Sequence, residues 1–498
     1  MIWRELLEMA EDKGITIWIV GGYLRDLFLG RDSHDLDLLV ETEALNLARQ
    51  LADRLAGTFV PLDPVRGVGR VVFRQGTMKS IDVAQIQGLT LEQDLKARDL
   101  TINSLALPIS RQTLPWLDQL VSQAAERPLA ARESLGPFLV DVCGGLEDLS
   151  NGLLRTNSLE ILQQDPLRVL RVIRVGTILN FELEENTYSW LRVAAPGLAA
   201  VSGERVRDEV FHLLNSSHAA KGVEQAVELG ILPVIFPEMA LMADTAQNHH
   251  HKVDVWVHCL TTLRSLEELI TWEELLPAEL RKPLLDRLNS PFGKTGRTYS
   301  QLLKWVALFH DVGKPASRGI REDGRITFYG HDKAGSEVIQ KMALRLVLSN
   351  REAYWAKKLV AMHMRPLMLY NAKGAGRQAR YRFFRDLGEE ALEVLALSLA
   401  DMAAKNVFVP DQEEQSGYIG FVSELCREFL SRPEPLFPKQ LVTGRDIVQL
   451  HPDISRSAIG QLLKKIRDKQ GDGSIVTREQ ALNFIREVGE PVKGKMLK

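Results

Sequence analysis

The chain has 498 residues, 45% hydrophobic and 26% charged, with a net charge of −3. That length exceeds a single core, and the ordinary composition excludes a largely disordered chain. The mild acidity excludes a generic nucleic-acid coat, so any RNA contact must rest on local basic surface.

In chain order, MIWRELLEMAEDKG reads as an amphipathic helix with acidic residues, not a signal peptide. Short β-like runs (TIWIV, DLDLLV, RVVFRQ, SIDVAQI) alternate with helical ones over residues 1–110, an α/β pattern. Residues 122–137 have the small, charged, Pro/Gly character of a surface loop. FLVDV and GLLRT, within 138–156, return to the first domain as strands or sheet edges. From about residue 158 apolar residues recur at helical spacing. SRPEPLFPKQ, 431–440, reads as a proline-rich linker, followed by a small basic helical tail in which Thr477 and Gln480 are spaced for a capping box. No apolar run approaches the roughly 20 residues that span a bilayer. Three widely spaced cysteines (Cys143, Cys259, Cys426) form neither a disulfide framework nor a thiolate zinc site, and a cytoplasmic protein without membrane contact is expected.

The most informative stretch is IVGGYLRDLFLGRDSHDLDLLV, residues 19–40. Glycines directly after an apolar strand let backbone N–H groups approach a triphosphate, and the following helix N-terminus favours negative charge. Gly21 and Gly22 are placed for this, with Arg25 within reach of the same phosphates. Asp35 and Asp37, two apart on a strand, point to one face, where like charges repel unless a cation lies between them. Mg²⁺ is the expected ion, because it takes oxygen ligands and bridges substrate phosphates. Asp82 in SIDVAQI is the candidate third carboxylate, which would complete a two-metal site for phosphoryl transfer. Each piece alone is most simply a tight turn or a solvated edge; their order and spacing argue for a site.

The order GG…DxD resembles the signature of the polymerase-β-like nucleotidyltransferases. IVGGYLRD followed by DLDLLV is similar, more narrowly, to the bacterial class II tRNA nucleotidyltransferase and poly(A) polymerase family. LEQDLKARDLTINSLAL, 91–107, resembles that family's second motif, with Ala97 at the first of its two usual arginines. The resemblance implies that Arg98 binds the triphosphate and Asp99 the ribose hydroxyls. VDVCGGLEDLSNGLLRT, 140–156, matches the run between head and neck and reads as structural. In NSLEILQQDPLRVLRVIR, Asp165, Arg168 and Arg171 share a helical stripe. An aspartate beside an arginine offers acceptors and donors to a base edge. In the family this motif replaces a nucleic-acid template: Asp165 and Arg168 would contact the base and Arg171 the nucleotide or its phosphates. Gln164 stands where the family usually has the glutamate thought to orient the arginine. Between Asp82 and Glu92 the chain is short, and such a deletion resembles the CC-adding members rather than those that add the whole triplet.

Further on, LFHDVGKP carries His310-Asp311, with His258 upstream and Asp401 downstream. The order H…HD…D resembles HD-superfamily metal phosphohydrolases, and His331 and His363 fit the longer, two-metal form. Imidazole and carboxylate ligands suit Mn, Ni, Zn or Fe, and a metal-bound water could attack a phosphate ester. His249–His251 read as a polar turn. RNA would follow Arg66, Arg70, Arg74 and Lys79, then LLKKIRDK and VKGKMLK; residues 441–485 resemble the family's tRNA-elbow tail.

The expected fold is α+β: a small polymerase-β-like α/β head (1–156), then a long all-α body comprising a neck (157–240), an HD domain (241–430) and a tRNA-binding tail (431–498). The expected activity is addition of CC to tRNA 3′ ends from CTP, with ATP as a further substrate if the whole CCA triplet is made. The rivals are a poly(A) polymerase, and an HD phosphohydrolase whose head is a non-catalytic RNA-binding module.

Overall fold

The computed structural model describes residues 2–76, 78–123, 135–248, 251–271, 276–372, 376–432, 436 and 439–489. Most of the expected 122–137 loop and half of the 431–440 linker, together with His249, His250 and VKGKMLK, lie outside the described residues. The chain divides into two compact units, Met1–Ile235 and Phe236–Lys498.

The first unit is built on a seven-stranded mixed sheet of order β3-β4-β5-β2-β1-β6-β7. Its strands are β1 (Ile17–Val20), β2 (Asp35–Val40), β3 (Thr58–Asp63), β4 (Val68–Val72), β5 (Ser80–Gln85), β6 (Leu105–Pro108) and β7 (Val140–Asp141). β1, an unbroken apolar run, is buried along its length between β2 and β6. β2 and β5 pair in parallel with Asp37 opposite Asp82 and Asp35 opposite Ser80. Strand alternation therefore puts the acidic residues on one face while Leu36 and Leu38 enter the core. β3 escapes the alternation rule because it is a largely exposed edge strand interrupted by Pro61, where a missing N–H is tolerated. FLVDV supplies β7, which pairs with β6. GLLRT instead pairs Leu153–Leu154 with Glu182–Leu183 in a separate two-stranded sheet.

Helix α1 (Ile2–Lys13) is the expected N-terminal helix and buries Trp3, Leu6 and Met9. Helix α2 (Gly21–Phe28) starts where β1 ends, and α3 (Ala44–Arg54) lies against β4 and β5. Helix α4 (Leu91–Lys96) is capped by Thr90, whose hydroxyl accepts the Gln93 N–H. Helices α5 (Leu159–Gln164), α6 (Leu167–Leu179) and α7 (Gly203–Leu214) follow.

The second unit is helical, with α8 (Val255–Thr271), α9 (Tyr299–Phe309), α10 (His331–Arg345), α11 (Asn350–Met362) and α12 (Ala391–Phe408). Capping boxes Thr298/Gln301 and Ser349/Glu352 fix the starts of α9 and α11. Near the chain end Val442, Ile447, Leu462, Ile466, Ile475, Ala481 and Ile485 form a small core of their own. There Thr477 N–H donates to Gln480 Oε1 at 3.1 Å and Gln480 N–H to Thr477 Oγ1 at 3.2 Å, both halves of the expected box.

Glu393 on α12 is fully buried. One oxygen accepts Arg287 Nε at 2.9 Å and the other has no partner. Burial lifts its carboxyl to about 7 against the opposing pull of Arg287. The folded state therefore holds this proton after the unfolded state has lost it. On this account stability falls as pH rises from the ordinary 4.5 to about 7, then levels. Glu393→Gln should thus match wild type near pH 4.5 and exceed it by about 1–3 kcal/mol at pH 8 in urea unfolding. A variant less stable than wild type at pH 8 would contradict this.

Candidate active site and metal centre

A cleft of about 850 Å³ opens over the carboxylate face of the sheet, within the range of small-molecule sites. Gly21, Gly22, Arg25, Asp35, Asp37, Arg98, Asp99, Arg168 and Arg171 all line it, together with Gln164, Arg174 and Arg66. Residues from four separate stretches of sequence therefore converge on one concavity.

The geometry explains the glycines. Gly21 has φ +71°, and a Cβ there would lie 2.6 Å from Asp37 Oδ2. Only glycine lets the chain leave β1 this close to the β2 carboxylate. The N-cap residue Val20 offers α2 no side-chain cap, so apart from the Gly22 N–H its first-turn N–H groups are left to an outside acceptor. The Gly22 N–H hydrogen-bonds Asp37.

Asp37 is half-buried, and its carboxyl is pushed up to about 6. Burial is the first cause; repulsion from Asp82 and Asp35 adds to it, and Arg98 and the Gly22 N–H oppose it. Asp35 is exposed and accepts Ser80 Oγ at 2.7 Å. Asp82, the sequence's third-carboxylate candidate, does stand beside Asp37, but both its oxygens are taken by Arg70 at 2.6 and 2.7 Å. Arg70, placed in the basic run by the sequence, is thus a partner of the acidic cluster. The mutual repulsion of Asp37, Asp35 and Asp82, which weakens Asp37 as an acid, is what a hard divalent cation bound at these carboxylates would relieve.

The cationic side of the cleft is held by residues that sequence reasoning passed over. Arg25 donates Nε and Nη2 to Asp26, each at 2.9 Å, and Nη1 to Asn103 Oδ1 at 2.9 Å. Asp94 grips Arg98 through Nε and Nη2 at 3.3 Å. Arg171 pairs with Asp99 at 3.2 Å and with Glu209 at 3.5 Å, and Arg174 with Glu209 at 2.7 Å. Burial would raise Asp99's pKa, but Arg171, Asn103 and Arg168 together hold it below the usual carboxylate value. Asp165 is the one predicted nucleotide residue not lining the cleft. It caps the start of α6 through the Leu167 N–H and is held by Arg205 at 2.8 Å. Arg168 donates to the Ala97 carbonyl at 3.2 Å. Asp26 and Asp94 were legible as i,i+1 and i,i+4 acids beside their arginines. Arg205 and Glu209, one turn apart on α7, carried no local signal.

The second unit gathers all six HD candidates. His258, His310 and Asp311 form one compact group and Asp311, His331 and His363 another, so Asp311 is common to both. Asp401 lies 2.9 Å from His258 and 3.8 Å from His310. Three imidazoles are anchored on the far side by backbone carbonyls: His310 Nδ1 to Ala307 (2.9 Å), His331 Nδ1 to Phe328 (2.8 Å) and His363 Nδ1 to Val360 (2.7 Å). Those bonds aim each Nε2 inward, the arrangement that orients metal-ligating histidines. His310 Nε2 is buried with no hydrogen-bond partner. An orphaned ring nitrogen beside a shared carboxylate fits a metal. Without a cation, the lowering by burial is outweighed by Asp311, which raises the His310 pKa well above its ordinary range, so a metal at Nε2 would take the place of a proton. Lys314 contributes to the opposite effect on Asp311, at 2.5 Å.

A nucleotidyltransferase-type sheet and cleft, with a separate histidine–carboxylate centre, define the class of protein. Residues 17–155 match the poly A polymerase head domain, 180–242 the probable RNA and SrmB-binding site of polymerase A, and 278–404 the HD domain. The chain is 30% identical to an A-adding tRNA nucleotidyltransferase of Deinococcus radiodurans, covering 96% of both chains. It is also 30% identical to a CC-adding tRNA nucleotidyltransferase of Thermus thermophilus, over 94% of this chain and 92% of that one. Its fold is similar to that of the Thermotoga maritima CCA-adding enzyme complexed with tRNA, at TM-score 0.57 and 19% identity, over 98% and 94% of the two chains. The chain belongs to the tRNA nucleotidyltransferase and poly(A) polymerase family.

Proposed function

We propose that the protein is a tRNA nucleotidyltransferase that adds two cytidines to tRNA 3′ ends from CTP without a nucleic-acid template, working in the cytoplasm. The observation that carries the transfer reading is the convergence of Gly21, Gly22, Asp35, Asp37, Arg98 and Asp99 on one cleft. Asp35 and Asp37 would hold Mg²⁺, which when bound favours attack of the terminal 3′-OH on the α-phosphate and stabilises departing pyrophosphate. Arg25, Arg98 and Arg171 neutralise the triphosphate, and Asp99 accepts from the ribose hydroxyls. Arg168 reads the base from the cleft lining; Asp165, which the Leu167 N–H and Arg205 hold outside that lining, would have to leave Arg205 to join it. Relatives that add A and relatives that add CC are about equally similar, so similarity does not choose between them.

The choice of CC rests on the connection between β5 and α4, which is only residues 86–90. It is tied down as well as short: Ile86 N–H bonds Val40, Gln87 N–H bonds Asp94 and Leu89 N–H bonds Gln93, each at 2.9 Å. A pocket rimmed by a fixed turn suits one nucleotide setting.

The test offers tRNAs ending at the discriminator base, at C and at CC, with labelled CTP or ATP, and reads product lengths. Two cytidines and a stop are expected. Adenosine added efficiently to the CC-ended tRNA would overturn CC specificity, and long tails on generic RNA with ATP alone would favour a poly(A) polymerase. The two histidine groups sharing Asp311 support a second reading alongside the first, a metal-dependent phosphoester hydrolase in the HD domain.

A further inference from the structure

We infer that Asp94 is a positioning residue that makes the 86–90 turn and the triphosphate-binding Arg98 a single rigid piece; this rests on the nucleotide-transfer reading above. Asp94 is buried, and its two oxygens do different jobs. Oδ1 accepts the Gln87 N–H at 2.9 Å, at the rim of the cleft. Oδ2 accepts Arg98 Nε and Nη2, both at 3.3 Å. Among the described residues, no other carboxylate lies in salt-bridge range of Arg98.

The orientation that results is specific. Asp94 occupies the Nε/Nη2 edge of the guanidinium, so Nη1 is the edge left over. Nη1 lies 3.5 Å from where a Cβ on Gly21 would be. The remaining donor edge is therefore turned to the glycine turn, where a triphosphate would bind. The Arg98 backbone is fixed independently, because Asn157 Nδ2 donates to the Arg98 carbonyl at 2.8 Å and to Ser104 Oγ at 2.9 Å. With the main chain pinned, the direction of the fork depends on Asp94. A planar five-donor guanidinium gains its phosphate geometry only when it is so oriented. Any displacement of the rim turn acts on the same carboxylate that aims Arg98. Rim and clamp consequently respond together to the bound nucleotide.

Asp94→Asn leaves an oxygen for Gln87 but presents an amide to Arg98, freeing the fork. Gln93→Ala is the control, since Gln93 holds the same turn through Leu89 without touching Arg98. For cytidine addition to tRNA, Asp94→Asn should raise KM for CTP by about 10–100-fold with kcat within about fivefold, a loss of ground-state binding. Gln93→Ala loosens the turn but leaves Asp94 on Arg98, so its rise in KM should be clearly smaller, at most about fivefold. Asp94→Glu keeps the charge and serves if the amide variant does not fold; its longer arm cannot satisfy both partners, so KM rises there too. An unchanged KM in a folded Asp94 variant, or equal KM changes in Asp94→Asn and Gln93→Ala, would overturn the inference. Wild type that incorporates no nucleotide would overturn the functional reading instead, and the two failures are thereby separate.

Discussion

Asp37→Asn should lose cytidine incorporation by about 10³-fold or more in kcat while the protein becomes no less stable. The activity loss follows from removing one of two carboxylates that would hold the divalent ion over which charge develops. The stability expectation has the opposite sign for the same physical reason. Asp37's carboxyl sits at about 6 against an ordinary 3.8, held up by burial and by Asp82 and Asp35. The folded state thus keeps a proton that the unfolded state has released. Ionising Asp37 costs stability progressively from about pH 4 to pH 6, and the cost is constant above. An asparagine never ionises, so the variant should melt at or above the wild-type temperature at pH 8, with the difference shrinking as pH falls through 6. Thermal melts at pH 4.5 and 8, beside initial rates, check both parts. A variant that melts well below wild type at pH 8 would make the activity loss a folding defect and the electrostatic account wrong.

The second large effect concerns the HD centre. Because Asp311 belongs to both histidine groups, the structure predicts about two metal ions per chain in wild type and a defined pattern in the variants. His331→Ala should lose one ion, His310→Ala the other, and Asp311→Asn both. Asp311→Asn should also be destabilised by about 3 kcal/mol, since it removes the carboxylate that lies 2.5 Å from the buried Lys314 ammonium. Elemental analysis of purified protein reads the stoichiometry, and p-nitrophenyl phosphate hydrolysis reads the chemistry. Cytidine incorporation should be unchanged in His310→Ala, just as any hydrolysis should survive Asp37→Asn. Retention of both ions in Asp311→Asn, or loss of incorporation in a folded His310→Ala, would contradict the arrangement.

The parts legible in the sequence were those written in local periodicity. The IWIV run, the DLD alternation and the glycine pair are each set by neighbours within a few residues, and they map directly onto β1, β2 and the start of α2. The head, the helical body and the gathering of the HD ligands followed from motifs whose order survives in the chain. What was not legible came from partners distant in sequence. Asp82 looked like a free third ligand because nothing local reveals that β4 carries Arg70 alongside it. Asp165 and Arg171 looked like an exposed reading stripe because Arg205 and Glu209 reach them from another helix. β3 was hidden by Pro61, which an edge strand tolerates and a central one does not. Local patterns marked the candidate residues; the ion pairs that orient them are tertiary.

The most direct measurement is a crystal structure of the protein with CTP, Mg²⁺ and no tRNA. Electron density is expected for metal bound by Asp35 and Asp37, for the triphosphate along Gly21, Gly22 and the Nη1 edge of Arg98, and for the ribose beside Asp99. Nucleotide bound elsewhere, with Asp35 and Asp37 facing only water, would contradict this expectation.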